Sequence, residues 1–297
     1  MEDFFLNIYR RLKGSSVKYK ALFLFLKIAI SVSFVIYVLS RTNFEGLSRA
    51  FSGINVGFLF LTVFITFLAT IFYNLRYARI LSLFDMHIPF WGLYVINRFS
   101  NLINFFLPGG VGQEIGRLSY IDGKKKVIAS SLVDRFLGLL SLLILLFASV
   151  FFTSVGSTLY ILLIILAFLA AAAGYWYVRT RFHLKMSLSL VWSLVYSFLL
   201  VVMAFFQFKA VGIEIDFLHL LFWVPLINLL LTLPISIQGY GLLEFFWFIV
   251  LSLLAEQVLA YTILGYLINF VLSIPGFVIL LRGKKPPVPI SSGTDSN

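Results

Sequence analysis

The sequence predicts an all-α integral membrane protein with six full spans plus two re-entrant helical hairpins, arranged as an inverted repeat. Three observations predict it. Of 297 residues, 61% are hydrophobic and 12% charged, with a mean hydropathy of +1.02; a soluble domain carries about 25% charged residues. Two of the long apolar runs are broken by Pro/Gly clusters. The basic residues behind the net charge of +11 gather at the ends of runs rather than on a polar face, which favours a membrane over nucleic acid as the partner.

Residues 1–19 form a basic segment with Arg10, Arg11, Lys13 and Lys18. Phe5, Ile8, Tyr9 and Leu12 fall on one helical face, which suits a short helix lying in the membrane interface; a disordered basic tail fits as well. The apolar stretch 20–39 is longer than the core of a signal peptide and lacks a strong small-residue cleavage signal, so it reads as a retained first span. Further spans cover 57–77, 127–152, 158–178, 187–208 and 258–281, each near the roughly 20 residues that cross a bilayer core of about 30 Å. Together 20–282 make one transmembrane domain, and 283–297, rich in Pro and Ser, reads as a disordered cytoplasmic tail.

Two stretches are apolar but interrupted. Residues 88–120 contain Leu107-Pro108-Gly109-Gly110-Val111-Gly112, and 217–255 contain Leu233-Pro234-Ile235-Ser236-Ile237-Gln238-Gly239-Tyr240-Gly241. Proline and clustered glycine end helices. At membrane depth, broken backbone is tolerated only where protein or a polar cavity satisfies it. Both stretches therefore read as hairpins that enter and leave on one side. With the N-terminus in the cytoplasm, that reading leaves nearly all Lys and Arg inside, among them Arg76, Arg79, Lys124, Lys125, Lys126, Arg179, Lys284 and Lys285. Only Arg41, Arg49 and Lys209 lie outside, and Lys27 and Arg135 fall within spans. A hairpin that crossed fully would invert this bias.

The topology contains two units, about 57–152 and 187–281, each built as span, hairpin, span. Their hairpins open to opposite sides. Ile103-Asn104 precedes Leu107-Pro108 as Ile227-Asn228 precedes Leu233-Pro234, and Pro108 and Pro234 are 126 residues apart. Inverted repeats with broken helices at the midplane are a transporter architecture.

Candidate chemistry is confined to charges at membrane depth. Walker A, HExxH and nucleophile-elbow patterns are missing. His87, His183 and His219 are isolated, and there is no cysteine; no cofactor and no metal site is expected. Asp134 and Arg135 lie about two turns into a span, where charge is costly and is paired or functional. As neighbours they project about 100° apart, so each needs a partner on another element. Glu114 and Glu244 are candidate acids for Arg135; Arg98 and Arg117 are candidate bases for Asp134. Gly109, Gly110 and Gly112 can turn backbone N–H groups toward an anion at the start of the following half-helix, with Gln238 and Gly239 as the matching element; the same glycines suit a tight turn and close packing. The expected substrate-binding set is Arg98, Gly109, Gly110, Gly112, Glu114, Arg117, Asp134, Arg135, Gln238, Gly239 and Glu244. The aromatic residues, 34 Phe and 14 Tyr, read mainly as lipid-facing padding.

The run Arg98, Asn101, Leu107-Pro108-Gly109-Gly110-Val111-Gly112-Gln113-Glu114, Arg117, then Ala129-Ser130-Ser131-Leu132-Val133-Asp134-Arg135 and Gly138, resembles the flippase-like transmembrane family. That family includes the membrane half of lysylphosphatidylglycerol synthases. Leu233-Pro234 with Gly239-Tyr240-Gly241-Leu242-Leu243-Glu244 is similar to its late Pro-Gly-Glu segment, and the resemblance covers about 40–282. Many members carry an acid soon after the Pro-Gly loop, a place Glu114 fills here behind Gln113. The resemblance implies movement of a phospholipid or other lipid headgroup between leaflets of the cell membrane through a central mixed-charge cavity. In the bifunctional synthases a soluble aminoacyl transferase domain follows the membrane half; with the chain ending at Asn297, that activity is not expected. Membrane lipids, through their headgroups, are the expected partners, with no nucleic acid; a second copy or a lipid-modifying enzyme is a further candidate. The alternatives are a membrane enzyme using these carboxylates as acid and base on a polyprenyl or glycerolipid substrate, and a non-catalytic partner of a lipid-modifying enzyme.

Overall fold

The computed structural model describes residue 29 and residues 32–106, 111–152, 158–182, 186–232, 241–250 and 255–281. Among them every regular element is helical. A helical stretch over 32–40 leads to α1 (Phe44–Ser52), α2 (Val56–Ser82), α3 (Phe90–Phe106), α4 (Val111–Tyr120) and α5 (Lys124–Val150). There follow α6 (Thr158–Phe182), α7 (Ser187–Ala210), α8 (Phe217–Thr232), α9 (Leu242–Val250) and α10 (Ala255–Leu281).

Four helices are long and apolar enough to cross a membrane: α2, α5, α7 and, within α10, Ala255–Val278. They cover the expected spans at 57–77, 127–152, 187–208 and 258–281. The 25-residue α6 covers 158–178. Most of the expected span 20–39 lies outside the described residues, as do the segments 1–19 and 283–297.

Local chemistry sets several helix boundaries. Asn55 caps α2, its Oδ1 accepting from the N–H groups of Gly57 (3.0 Å) and Phe58 (3.2 Å). The N–H of Asn55 donates to the carbonyl of Ala210 (2.8 Å), which ties the start of α2 to the end of α7; the two helices run antiparallel and form the most extensive helix pair. Gly123, in the left-handed region at φ 79°, turns the chain into α5, a conformation that costs glycine little.

The polarity of the bundle is inverted relative to a soluble protein. Phe60, Phe64, Trp176, Leu169 and Val271 are exposed, whereas Thr62, Thr66, Thr70 and Asn74 are buried in a stripe along α2. Each of these side chains donates to the carbonyl four residues earlier, at 2.6–2.8 Å. Buried Ser189, Ser193 and Ser197 repeat the pattern on α7, and Ser197 Oγ lies 2.8 Å from Ser141 Oγ of α5. Small polar residues at helix interfaces allow close packing in lipid.

Packing joins elements distant in sequence. α3 lies against α4 and α10, α8 against α5 and α7, and α5 also against α7. Glycines make the closest of these approaches. A Cβ at Gly112 would sit 2.5 Å from Asn104 Cα, one at Gly116 2.7 Å from Ser100 Cα, and one at Gly276 2.6 Å from Arg98 Cβ. The largest apolar core joins α7, α8, α9 and α10 around Phe208, Trp247 and Tyr261. There Phe208 and Tyr261 stack at 4.0 Å and Trp247 meets both edge-on.

Candidate functional site

Three arginines and one carboxylate are buried together where α2, α3, α4 and α5 meet. Arg76 (4% exposed), Arg98 (4%), Arg117 (2%) and Asp134 (4%) come one from each helix. Asp134 takes two cations: Arg76 Nε lies 2.8 Å from its Oδ1 and Arg117 Nη2 3.7 Å from its Oδ2. Of the two bases the sequence offered Asp134, Arg117 is thus a partner and Arg98 is not. Arg76 is a correction. It was counted with the flanking cytoplasmic charges, but α2 continues to Ser82 and keeps Arg76 inside the bundle. Arg98 on α3 and Arg117 on α4 are likewise buried inside the bundle.

Arg117 is held on every side. Its Nε donates to Asn97 Oδ1 (2.9 Å), its Nη1 to Ser131 Oγ (3.4 Å) and its Nη2 to the Tyr73 hydroxyl. Its guanidinium also lies 3.5 Å from the centroid of the Tyr77 ring. Asn97 in turn donates to Asn74 Oδ1 (2.8 Å), so the polar stripe of α2 orients the residue that orients Arg117. Tyr73 accepts a second bond from Gln113 Nε2, which also reaches Asn101. The Arg76 guanidinium packs over Tyr73 and Tyr196 at 5.0 and 5.3 Å.

Arg98 is placed differently. Its Nη2 donates to Thr70 Oγ1 and its guanidinium lies over Tyr94 at 5.6 Å. Its Nε and Nη1 are buried with no hydrogen-bond partner among the described residues. Buried charge without compensation is expensive. Counting only these four side chains, three cations face one anion, and two donors remain unused.

At the edge of this cluster Arg135 Nη2 pairs with Glu114 Oε1 at 2.9 Å, with side-chain exposures of 51% and 24%. Of the two acids considered for Arg135, Glu114 is the one in contact. Glu244 lies elsewhere, on α9, where its Oε1 accepts from the Tyr266 hydroxyl at 3.0 Å. Gly112 packs against the backbone of Asn104. Gly109, Gly110, Gln238 and Gly239 fall outside the described residues. The described residues contain no group of His, Cys, Asp and Glu suited to a metal ion.

Arg76, Tyr73, Asn97 and Tyr196 were not singled out from the sequence. Thr62, Thr66, Thr70 and Asn74 recur every fourth residue and mark a buried polar face. Tyr73, three residues after Thr70, lies on it, as Tyr196, three after Ser193, lies on that of α7. Arg76, two after Asn74, falls off the stripe and carried no such signal.

No curated protein and no solved structure matches the chain. The family described as lysylphosphatidylglycerol synthase TM region matches residues 24–276, a range that holds every side chain of the buried cluster. Its association with lipid modification or transport accords with an all-helical bundle that is apolar outside and cationic within. By that match, over most of its length, the chain belongs to the lysylphosphatidylglycerol synthase TM region family.

Proposed function

We propose that the chain is a flippase-like lipid transporter of the cell membrane, moving a phospholipid or similar headgroup between leaflets past the buried arginine cluster. The observation that carries this reading is the excess of buried cations, with Arg98 Nε and Nη1 lacking a partner among the described residues. A phosphate supplies the missing anion, and guanidinium is suited to bind it. Asp134, held by Arg76 and Arg117, fixes the cluster. Glu114 and Arg135 form a half-exposed pair that a zwitterionic or aminoacylated headgroup can exchange with. Because these two carboxylates are engaged by arginines, acid–base catalysis at them is less favoured.

The reading extends to an inverted repeat with both termini cytoplasmic, in which α3–α4 and α8–α9 are the two hairpins and their connecting loops meet at a central cavity. Helix starts support it: α7 begins 131 residues after α2, at 187 and 56. Packing supports it too, because exchanging the units maps the contact of α3 with α10 onto that of α8 with α5 and leaves the α2–α7 pair in place. Side chains follow. The first-turn acid of α4, Glu114, meets Arg135 on α5, and that of α9, Glu244, one residue earlier in register, meets Tyr266 on α10. Gln207 of α7 approaches Gly265 of α10 as Arg76 of α2 approaches Asp134 of α5.

The test is reconstitution into liposomes with fluorescent lipids of differing headgroups, read by external quenching. Headgroup translocation without a new lipid product supports the transporter. Product formation without translocation selects an enzyme, and neither activity from folded protein overturns both.

A further inference from the structure

We infer that Glu244 is a proton-carrying site that couples headgroup movement to a transmembrane pH gradient; the coupling rests on the transporter reading, whereas the proton site does not. Glu244 and Glu114 are the first-turn acids of α9 and α4, one residue out of register with each other, and their surroundings differ. Glu114 pairs with Arg135. Glu244 is 6% exposed and makes no ion pair among the described residues. Its Oε1 accepts from Tyr266 (3.0 Å), while Oε2 is buried and has no hydrogen-bond partner among the described residues. Among the described residues, the elements packed on α9 present no cation to it. α10 offers Tyr266 and Tyr261, and α7 places Phe208 against Trp247. The stretch 32–40 sets Phe34 and Tyr37 against Phe245, with Tyr37 also on Phe248. The described part of α8 has His219 as its only basic residue, exposed at the far end beside Asp216.

A carboxylate in such a place needs either a counter-cation or a proton. Hard metal ions are held by several oxygens, and the described surroundings supply one carboxylate whose other oxygen is already bonded to Tyr266. A proton needs only the free Oε2. The paired acid in one unit and the unpaired acid in the other thus divide the work: Glu114 belongs to the arginine site, and Glu244 takes up and releases the proton as its environment alternates. Glu244 accordingly leaves the expected substrate-binding set.

Two measurements test this on the full-length protein. Infrared spectroscopy of the protein in lipid should show a protonated-carboxyl C=O band that Glu244→Gln removes and Glu114→Gln retains, with Tyr266→Phe moving the band to higher frequency as its hydrogen bond is lost. Absence of any band assignable to Glu244 overturns the proton site, and because this readout needs no transport, its failure is separate from failure of the transporter reading. In liposomes, one unit of pH gradient should shift the transbilayer distribution of labelled lipid by up to about tenfold for each proton carried, and Glu244→Gln should abolish that shift. A shift retained in Glu244→Gln, one produced equally by a sodium gradient at uniform pH, or translocation indifferent to pH in the unmodified protein overturns the coupling.

Discussion

Arg76 and Asp134, one near the end of α2 and the other ten residues into α5, meet inside the bundle at 2.8 Å, and Arg117 approaches the same carboxylate from α4. One acid therefore fastens three helices. Asp134→Asn should lower stability by roughly 3–5 kcal/mol, since it leaves two buried guanidinium groups without their anion. Adding Arg76→Gln to Asp134→Asn should cost less than the sum of the single changes. Thermal unfolding of the purified variants in detergent checks both, and strict additivity would contradict the shared role.

Arg98 and Arg117 separate binding from bracing. Arg117 is fully engaged by Asn97, Ser131, Tyr73 and Asp134, whereas Arg98 spends one donor on Thr70 and keeps two. Arg117→Gln should destabilise the fold more than Arg98→Gln, and Arg98→Gln should reduce headgroup translocation by more than its stability loss explains. Melting temperatures and translocation rates measured on the same preparations give the comparison.

The Glu114–Arg135 pair is partly exposed, so its loss is milder than that of a sealed pair. Arg135→Ala should cost on the order of 1 kcal/mol, above Lys125→Ala in a basic helix end and well below Asp134→Asn. Equal melting temperatures for Arg135→Ala and Lys125→Ala would mean that the pair contributes nothing to stability.

Glycine at a backbone seam differs from glycine near a mobile side chain. A Cβ at Gly276 would meet Phe99 N at 2.9 Å and Val95 O at 3.0 Å, whereas one at Gly138 meets only Arg76 Nη1 at 3.5 Å. Gly276→Ala should therefore cost about 1–3 kcal/mol from overpacking, and Gly138→Ala much less. Denaturation curves of the two variants should separate accordingly.

Topology is accessible because the chain has no cysteine. A single cysteine at Lys125 should resist an impermeant thiol reagent added to intact cells, and one at Arg41 should react. Labelling at 125 from outside would reverse the assigned orientation.

Four of the expected spans were legible because hydropathy states them directly, and the Asp134–Arg135 neighbours were legible because two charges inside an apolar run have nowhere else to go. Arg76 was obscured by its position: a basic residue shortly before a loop looks like a membrane flank unless the helix is known to run on to Ser82. Tyr73 and Tyr196 became significant only through folding, which brought their rings to Arg76. No spacing in the chain links residue 73 to residue 196; each lies three residues after a buried Thr or Ser on the polar side of its helix, but only folding brings the two faces together. On the proposed repeat, corresponding residues differ in chemistry, Gln207 standing where Arg76 stands and Tyr266 where Arg135 does, and so gave no signal in the sequence.

The ten residues of α4 include Gln113, Glu114 and Arg117, and each charged side chain at the centre of an inserting helix costs about 2.5–3.5 kcal/mol. This segment has no reason to leave the insertion machinery for lipid by itself. The acid that receives Arg117 and the base that receives Glu114 both lie on α5, which the ribosome makes afterwards. A chain lacking Asp134 or Arg135 therefore completes α5 without the partner that offsets a charge on α4.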